Sequence, residues 1–194
     1  MKRKIHITIT RNDRGVIHTA ITPGMKLFDA LECMLYGCAS MVEQNTKLSK
    51  RHNLFYALVL IRDQLMKYPT NRNNAARRED GGTNGAMTVK IIDLGDRTGQ
   101  MDCSSVFTGF DVVEATLGSA IHLVEKSAGV DGYNALATVK EIIVYIAHRV
   151  SLAEGIEDRC MKYFGAEAVL CDNMPNLLND VCVVTDSEVQ LYYE

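Results

Sequence analysis

Tryptophan is absent from this chain, proline occurs only three times, and no apolar run reaches the length of a membrane span. A helix that crosses a bilayer needs about 20 consecutive, mostly apolar residues, so none is expected. The amino terminus, MKRKIHITIT, begins basic and then alternates apolar with polar residues. It lacks the apolar run of a signal peptide and reads as a strand. The expectation is therefore a cytoplasmic chain with no membrane partner. Close cysteine pairs are also missing: Cys33, Cys38, Cys103, Cys160, Cys171 and Cys182 are scattered. Five of the six have apolar or small neighbours, the setting in which a thiol packs as a small hydrophobe. Free thiols in a reducing compartment follow.

Catalytic and cofactor motifs are equally scarce. No Gly-rich dinucleotide fingerprint follows a strand, and Gly81-Gly82-Thr83-Asn84-Gly85 lacks the Lys and Ser/Thr that complete a phosphate-binding loop. No Gly-x-Ser-x-Gly nucleophile elbow occurs. No two Cys or His residues stand at zinc-ligand spacing. His122 and His148 fall on two helices expected to pair, but a lone helical histidine is more often hydrogen-bonded than ligating. Glu32 with Glu43, and Glu114 with Glu125, are each eleven residues apart. That is about 16 Å along a helix, too far for a shared acid–base site, so these read as solvated faces. The sequence thus offers no catalytic residue, no metal site and no cofactor.

What the chain does have is an uneven charge. Residues 1–78 hold 14 Lys/Arg and 5 Asp/Glu, a net of +9; residues 79–194 hold 7 and 19, a net of −12. Such asymmetry suggests either an anionic partner for the basic half or two surfaces that meet by complementary charge. The candidate ligand-binding residues are Lys50, Arg51, Arg72, Arg77 and Arg78. The Lys50–Arg51 and Arg72–Arg78 groups lie at opposite ends of one expected helix, about 30 Å apart. They cannot form one compact pocket within a subunit.

The other positive signal is repetition. Phe28–Gln44, FDALECMLYGCASMVEQ, resembles Phe110–Lys126, FDVVEATLGSAIHLVEK, with six of seventeen positions identical at an offset of 82. Phe28, Leu31, Leu35, Cys38 and Val42 follow steps of three, four, three and four, and so do Phe110, Val113, Leu117, Ala120 and Val124. That is the stripe of a buried helix. A second helix matches at an offset of 85, setting Leu54, Leu58, Ile61 and Leu65 on Val139, Ile143, Ile146 and Val150. Before each pair of helices stand two alternating stretches, Lys4–Thr10 with Gly15–Thr22, and Val89–Leu94 with Gln100–Phe107. Order, type and length recur together, which reads as an internal duplication.

The expected fold is therefore α+β. A first ββαα unit covers 1–69, a linker 70–86, a second ββαα unit 87–155, and an extension with a helix and hairpin 156–194, in one compact domain. Thr22-Pro23 should open the first helix, Ser49 should cap the second, and Pro69 should end it. Thr108 and Asp131 should cap the helices of the second unit, with Gly129 and Gly155 closing them. Beyond these, Ile156–Phe164 should be helix, Ala168–Cys171 a short strand, and Val181–Thr185 with Val189–Tyr193 a hairpin. Exposed strand edges make a homo-oligomer the expected state. Function is expected to be non-catalytic binding of an anionic ligand, a nucleotide or a nucleic-acid backbone. The alternative is a homo-oligomeric protein-interaction or structural module with no small-molecule ligand.

Overall fold

A computed structural model describes residues 6–11, 16–45, 51–75, 87–93, 99–103, 109–170, 178, 180–183 and 187–190. The first half runs β1 (His6–Arg11), β2 (Val16–Ile21), α1 (Leu27–Asn45), α2 (Asn53–Ala75). The second runs β3 (Met87–Asp93), β4 (Gly99–Cys103), α3 (Gly109–Ala128), α4 (Gly132–Glu154). The extension adds α5 (Glu157–Phe164), α6 (Glu167–Leu170) and β5 (Ser187–Gln190). The protein mixes helix and strand, with one antiparallel sheet of order β4-β3-β1-β2-β5.

Strand alternation puts Ile7, Ile9, Ile21, Val89 and Ile91 on the buried face, where Ile7 pairs with both Ile21 and Ile91. The opposite face carries His18, Ala20 and Lys90, all exposed. One covered face and one wet face is the usual state of an antiparallel sheet. The helical layer then crosses over between the halves. α1 packs on β3 and β4, and α3 packs on β1, β2 and β5. α1 also packs on α3, and α2 on α4. Gly37 permits the first crossing: a Cβ there would stand 3.0 Å from Met101 Cε and 3.4 Å from Ile91 Cγ2.

The two halves share their strand register. Adding 82 to both members of Ile7↔Ile21 gives Val89↔Cys103, which is the β3–β4 pairing. The central pair Thr8↔Lys90 is itself separated by 82, and Ile7↔Ile91 and Ile9↔Val89 flank it reciprocally. Of the two apolar stripes, Phe28, Leu31, Leu35, Cys38, Val113, Leu117, Ala120 and Val124 are buried and Val42 is partly so. The side chain of Phe110 lies outside the described set. At the offset of 85, buried Ala57, Leu58, Val59, Ile61 and Leu65 correspond to Ile142, Ile143, Val144, Ile146 and Val150, also buried.

Several boundaries differ from expectation for local reasons. α1 begins at Leu27, not after Thr22, because Gly24 turns the chain (φ 76°) and Met25–Leu27 bond to the extension. Leu27 N donates to Val181 O at 2.8 Å and Val183 N to Met25 O at 3.0 Å. α2 runs through Pro69 to Ala75, past the helix end expected at Pro69. Proline removes one backbone donor, and the helix before it is anchored by Phe55, Leu58, Ile61 and Leu65. Glu167–Leu170 is helical where a strand was expected at 168–171. The apolar run is too short for periodicity to decide, and Ala168 N already turns back to Gly165 O at 3.3 Å. The C-terminal strand pairs with β2, with Val189 opposite Ile17; residues 184–186 and 191–194 of the expected hairpin lie outside the described residues. Asp131 does cap α4, its Oδ1 accepting from Asn134 N at 2.8 Å, and Gly129 and Gly155 both take φ 66°. Ser49 and Thr108 lie outside the described residues.

Candidate functional site

Of the basic residues singled out above, Arg51 is exposed just before α2. Arg72 lies in the last turns of α2, its side chain outside the described set, and Lys50, Arg77 and Arg78 lie outside the described residues. α2 has 23 residues, so Arg51 and Arg72 are separated by roughly 30 Å at 1.5 Å per residue. They belong to opposite ends of one long helix, not to one pocket.

A different surface is built where α5 docks on α2. On α5, Cys160 and Phe164 are one turn apart and point inward, both buried. Phe164 meets the fully buried Phe55 edge-to-face, centroids 6.1 Å apart. Phe55 also touches Tyr56 and Tyr163. The Arg62 guanidinium lies 5.5 Å over the Phe164 ring, and its Nη2 donates to Glu167 Oε2 at 2.7 Å, fixing α6. The outward side of the same two helices carries Tyr56 and Leu60 on α2, and Arg159 and Tyr163 on α5. Each pair is spaced i,i+4 and shares a face. Arg159 Nη1 donates to the Tyr56 hydroxyl at 2.5 Å, its guanidinium 6.0 Å from that ring, and the two tyrosine rings are 6.1 Å apart. Tyr163 remains 45% exposed and Leu60 38%.

Each ring pair contributes about 0.5–1.5 kcal/mol beyond its buried area, and each exposed cation–π contact about 0.5–1 kcal/mol. Together they hold the partly buried Tyr56 ring, the exposed Tyr163 ring and a guanidinium against one another. The sequence contained the signal in its adjacent aromatics, Phe55-Tyr56 and Tyr163-Phe164. Only the docking of α5 on α2 brings them together.

Several polar groups of the interior are paired in ways that hold structure. His52, at φ 63° just before α2, places Nδ1 2.6 Å from Glu154 Oε2 at the end of α4. His122 Nδ1 lies 3.2 Å from Glu125 Oε2 on its own helix. Arg149 Nη1 approaches Glu32 Oε1 at 3.6 Å and the Tyr145 hydroxyl at 3.3 Å. Glu32 and Glu125 are thus part-buried beside cationic or titratable partners, not on the fully solvated faces expected of them. Between β2 and α3 the hydroxyls of Thr19 and Ser119 are hydrogen-bonded, and within α3 Thr116 Oγ1 donates to Val112 O at 2.8 Å. Burial pushes the Cys38 thiol up to about 12, against a smaller opposing effect of its hydrogen bond with Thr116. Burial raises Cys160 as well, with Ser151 opposing. A thiol held neutral in this way is a packing group, not a nucleophile. Cys33, Cys38, Cys160 and Cys182 are free thiols, the first three buried. Among the described residues no three His, Cys, Asp or Glu side chains are placed to hold a metal ion. No described helix is long and apolar enough to cross a membrane. No family model, curated protein or solved structure matches this chain.

Proposed function

We propose that this chain is a duplicated ββαα protein acting as a homo-oligomeric protein-interaction module without a small-molecule ligand, with the α2–α5 face as its partner-binding surface. The observation that carries this is the composition of that face and the contacts among Tyr56, Arg159 and Tyr163. Tyr and Arg are the residues that most often dominate protein–protein binding energy. Here Tyr56, Tyr163 and Arg159 are pre-positioned beside Leu60, which lowers the ordering cost of binding. The shared strand registers and the matching buried positions support the duplication.

The test is a paired capture experiment with full-length chain as bait. Leu60→Ala/Tyr163→Ala removes exposed surface, and Lys90→Ala changes the opposite, sheet side. Partners quantified by mass spectrometry should be lost from the first bait and kept by the second. Identical partner sets from both baits would remove the face from consideration. Native mass spectrometry of the parent gives the subunit number at the same time.

The charge distribution favours a second reading, binding of a nucleotide or nucleic-acid backbone in the cytoplasm through Lys50, Arg51, Arg72, Arg77 and Arg78. Arg51 stands exposed at the amino end of α2, where the helix dipole favours anions. Changing Arg72, Arg77 and Arg78 together to Ala should then weaken polyanion binding and flatten its salt dependence. A parent that binds no polyanion at low salt disposes of this reading.

A further inference from the structure

We propose that the outer edge of β4 is a self-association edge, where β4 of a second copy pairs antiparallel about a two-fold axis. This rests on the homo-oligomeric reading above and names its interface. The two hairpins are equivalent in register. β2 and β4 hold the same register against β1 and β3, residue for residue at an offset of 82. On the β2 side the chain covers its own edge: β5 pairs along Val16–Thr19, with Ile17 opposite Val189 and Thr19 opposite Ser187. The counterpart of Ile17–Thr19 is Gly99–Met101. β4 ends the sheet on that side, and among the described residues no strand pairs with its outer edge.

An open edge is a template for another strand, and proteins that stay monomeric blunt theirs with short strands, charged side chains (lysine above all), proline, bulges or a covering loop or helix. β4, Gly99-Gln100-Met101-Asp102-Cys103, has no proline or lysine, its one charged residue is Asp102, and its five consecutive pairs with β3 leave no room for a bulge. The strand is also self-complementary. Centred on Met101, a two-fold pairing sets Met101 opposite Met101, and Gln100 opposite Asp102 of the second copy, twice. No like charges face each other, and an amide stands across from each carboxylate. α1 lies over β4, so the helical layers of the two copies meet along the same edge and add buried area to the strand pair. Because the contact is isologous, association closes at two subunits. The other end of the sheet, β5, is a different strand and does not propagate it.

The experiment uses the full chain in analytical ultracentrifugation over a wide concentration range, with hydrogen exchange read at both ends of that range. The parent is expected to dimerise, with the amides of 99–103 gaining protection as the dimer fills. Gln100→Lys places a lysine opposite Asp102 of the second copy and should preserve the dimer. Gln100→Lys/Asp102→Lys sets lysine against lysine twice across the contact and also puts a lysine opposite Lys90 within each chain; where circular dichroism shows the variant folded, its dissociation constant should rise at least roughly tenfold. A monomeric parent sinks both this proposal and the homo-oligomeric reading. A dimeric parent whose β4 amides gain no protection overturns this interface alone and leaves that reading standing, whatever the folding of the variants. A folded double variant that dimerises as tightly as the parent also overturns the interface and spares the oligomer.

Discussion

The thiol of Cys38 should make this protein lose stability at alkaline pH by an amount that one substitution removes. Cys38 is fully enclosed between α1 and α3, and its ionisation is deferred from an ordinary 9.0 to about 12. Between those values the unfolded chain has released the proton while the native chain still holds it. The slope of unfolding free energy with pH is proportional to protons bound in the unfolded state minus those bound in the native state. That difference is negative here, so stability falls as pH rises above the unfolded value. Each pH unit in this window costs about 1.4 kcal/mol, giving a loss of roughly 2 kcal/mol by pH 10.5. Cys160 is shifted in the same direction and adds to the parent's decline. The assay is urea unfolding under reducing conditions at intervals from pH 7.5 to 10.5, on the parent and Cys38→Ala. The substitution leaves a small cavity and lowers stability at every pH, but its curve should run flatter than the parent's above about pH 9. Two curves that stay parallel would mean that Cys38 is reached by water or by a compensating charge and is not a buried, neutral thiol.

Other substitutions separate the layers of the structure. Phe164→Ala deletes a buried ring that holds α5 to Phe55 and Arg62, and should cost about 3 kcal/mol. For a chain of this size that is a fall of about 6–12 °C in Tm. Tyr163→Ala, at the half-exposed neighbour, should cost under about 1.5 kcal/mol; equal losses by calorimetry would mean that the outer face is part of the core. Leu117→Asp buries a carboxylate at a site only 2% exposed, and the several kcal/mol involved are comparable to total domain stability. Insoluble or unfolded protein is the expected outcome, and a soluble variant with an unchanged melting point would show that the stripe is not enclosed. In the native state Cys182, which is exposed, should react with a thiol reagent well before Cys33, Cys38 and Cys160. All six should react once the chain is unfolded without reductant.

Much of the architecture was legible because the sequence states it in periodicities. The stripes from Phe28 and Val113 onward, the alternation of Ile7 and Ile9, the Asp131 cap and the Gly129 and Gly155 stops are local signals, and local physics decides them. What was not legible depended on partners distant in sequence. Thr22-Pro23 has the chemistry of a helix start, but residues 25–27 are taken by hydrogen bonds to Val181 and Val183. Pro69 carries a breaking signal that an anchored helix overrides. Val189 sits in a strand whose described partner is Ile17, far earlier in the chain. The same limit applies to function. The charge count directed attention to arginines at the two ends of α2. The aromatic face forms only when α5, far later in the chain, lies down on Tyr56.

The exchange of helices between the two hairpins has a consequence for synthesis. When the ribosome has released only the first half, α1 has its own hairpin nearby but not the β3–β4 surface on which it rests. Leu31, Leu35 and Cys38 are then apolar groups without their final cover, and Gly37 has no Met101 to receive. α3, arriving later, brings the cover for β1 and β2 and completes the α1 packing in the same event. Neither half holds a finished core of its own, so a nascent chain stalled after residue 75 would be a client for chaperones, and a genetic truncation there would yield no half-sized working protein.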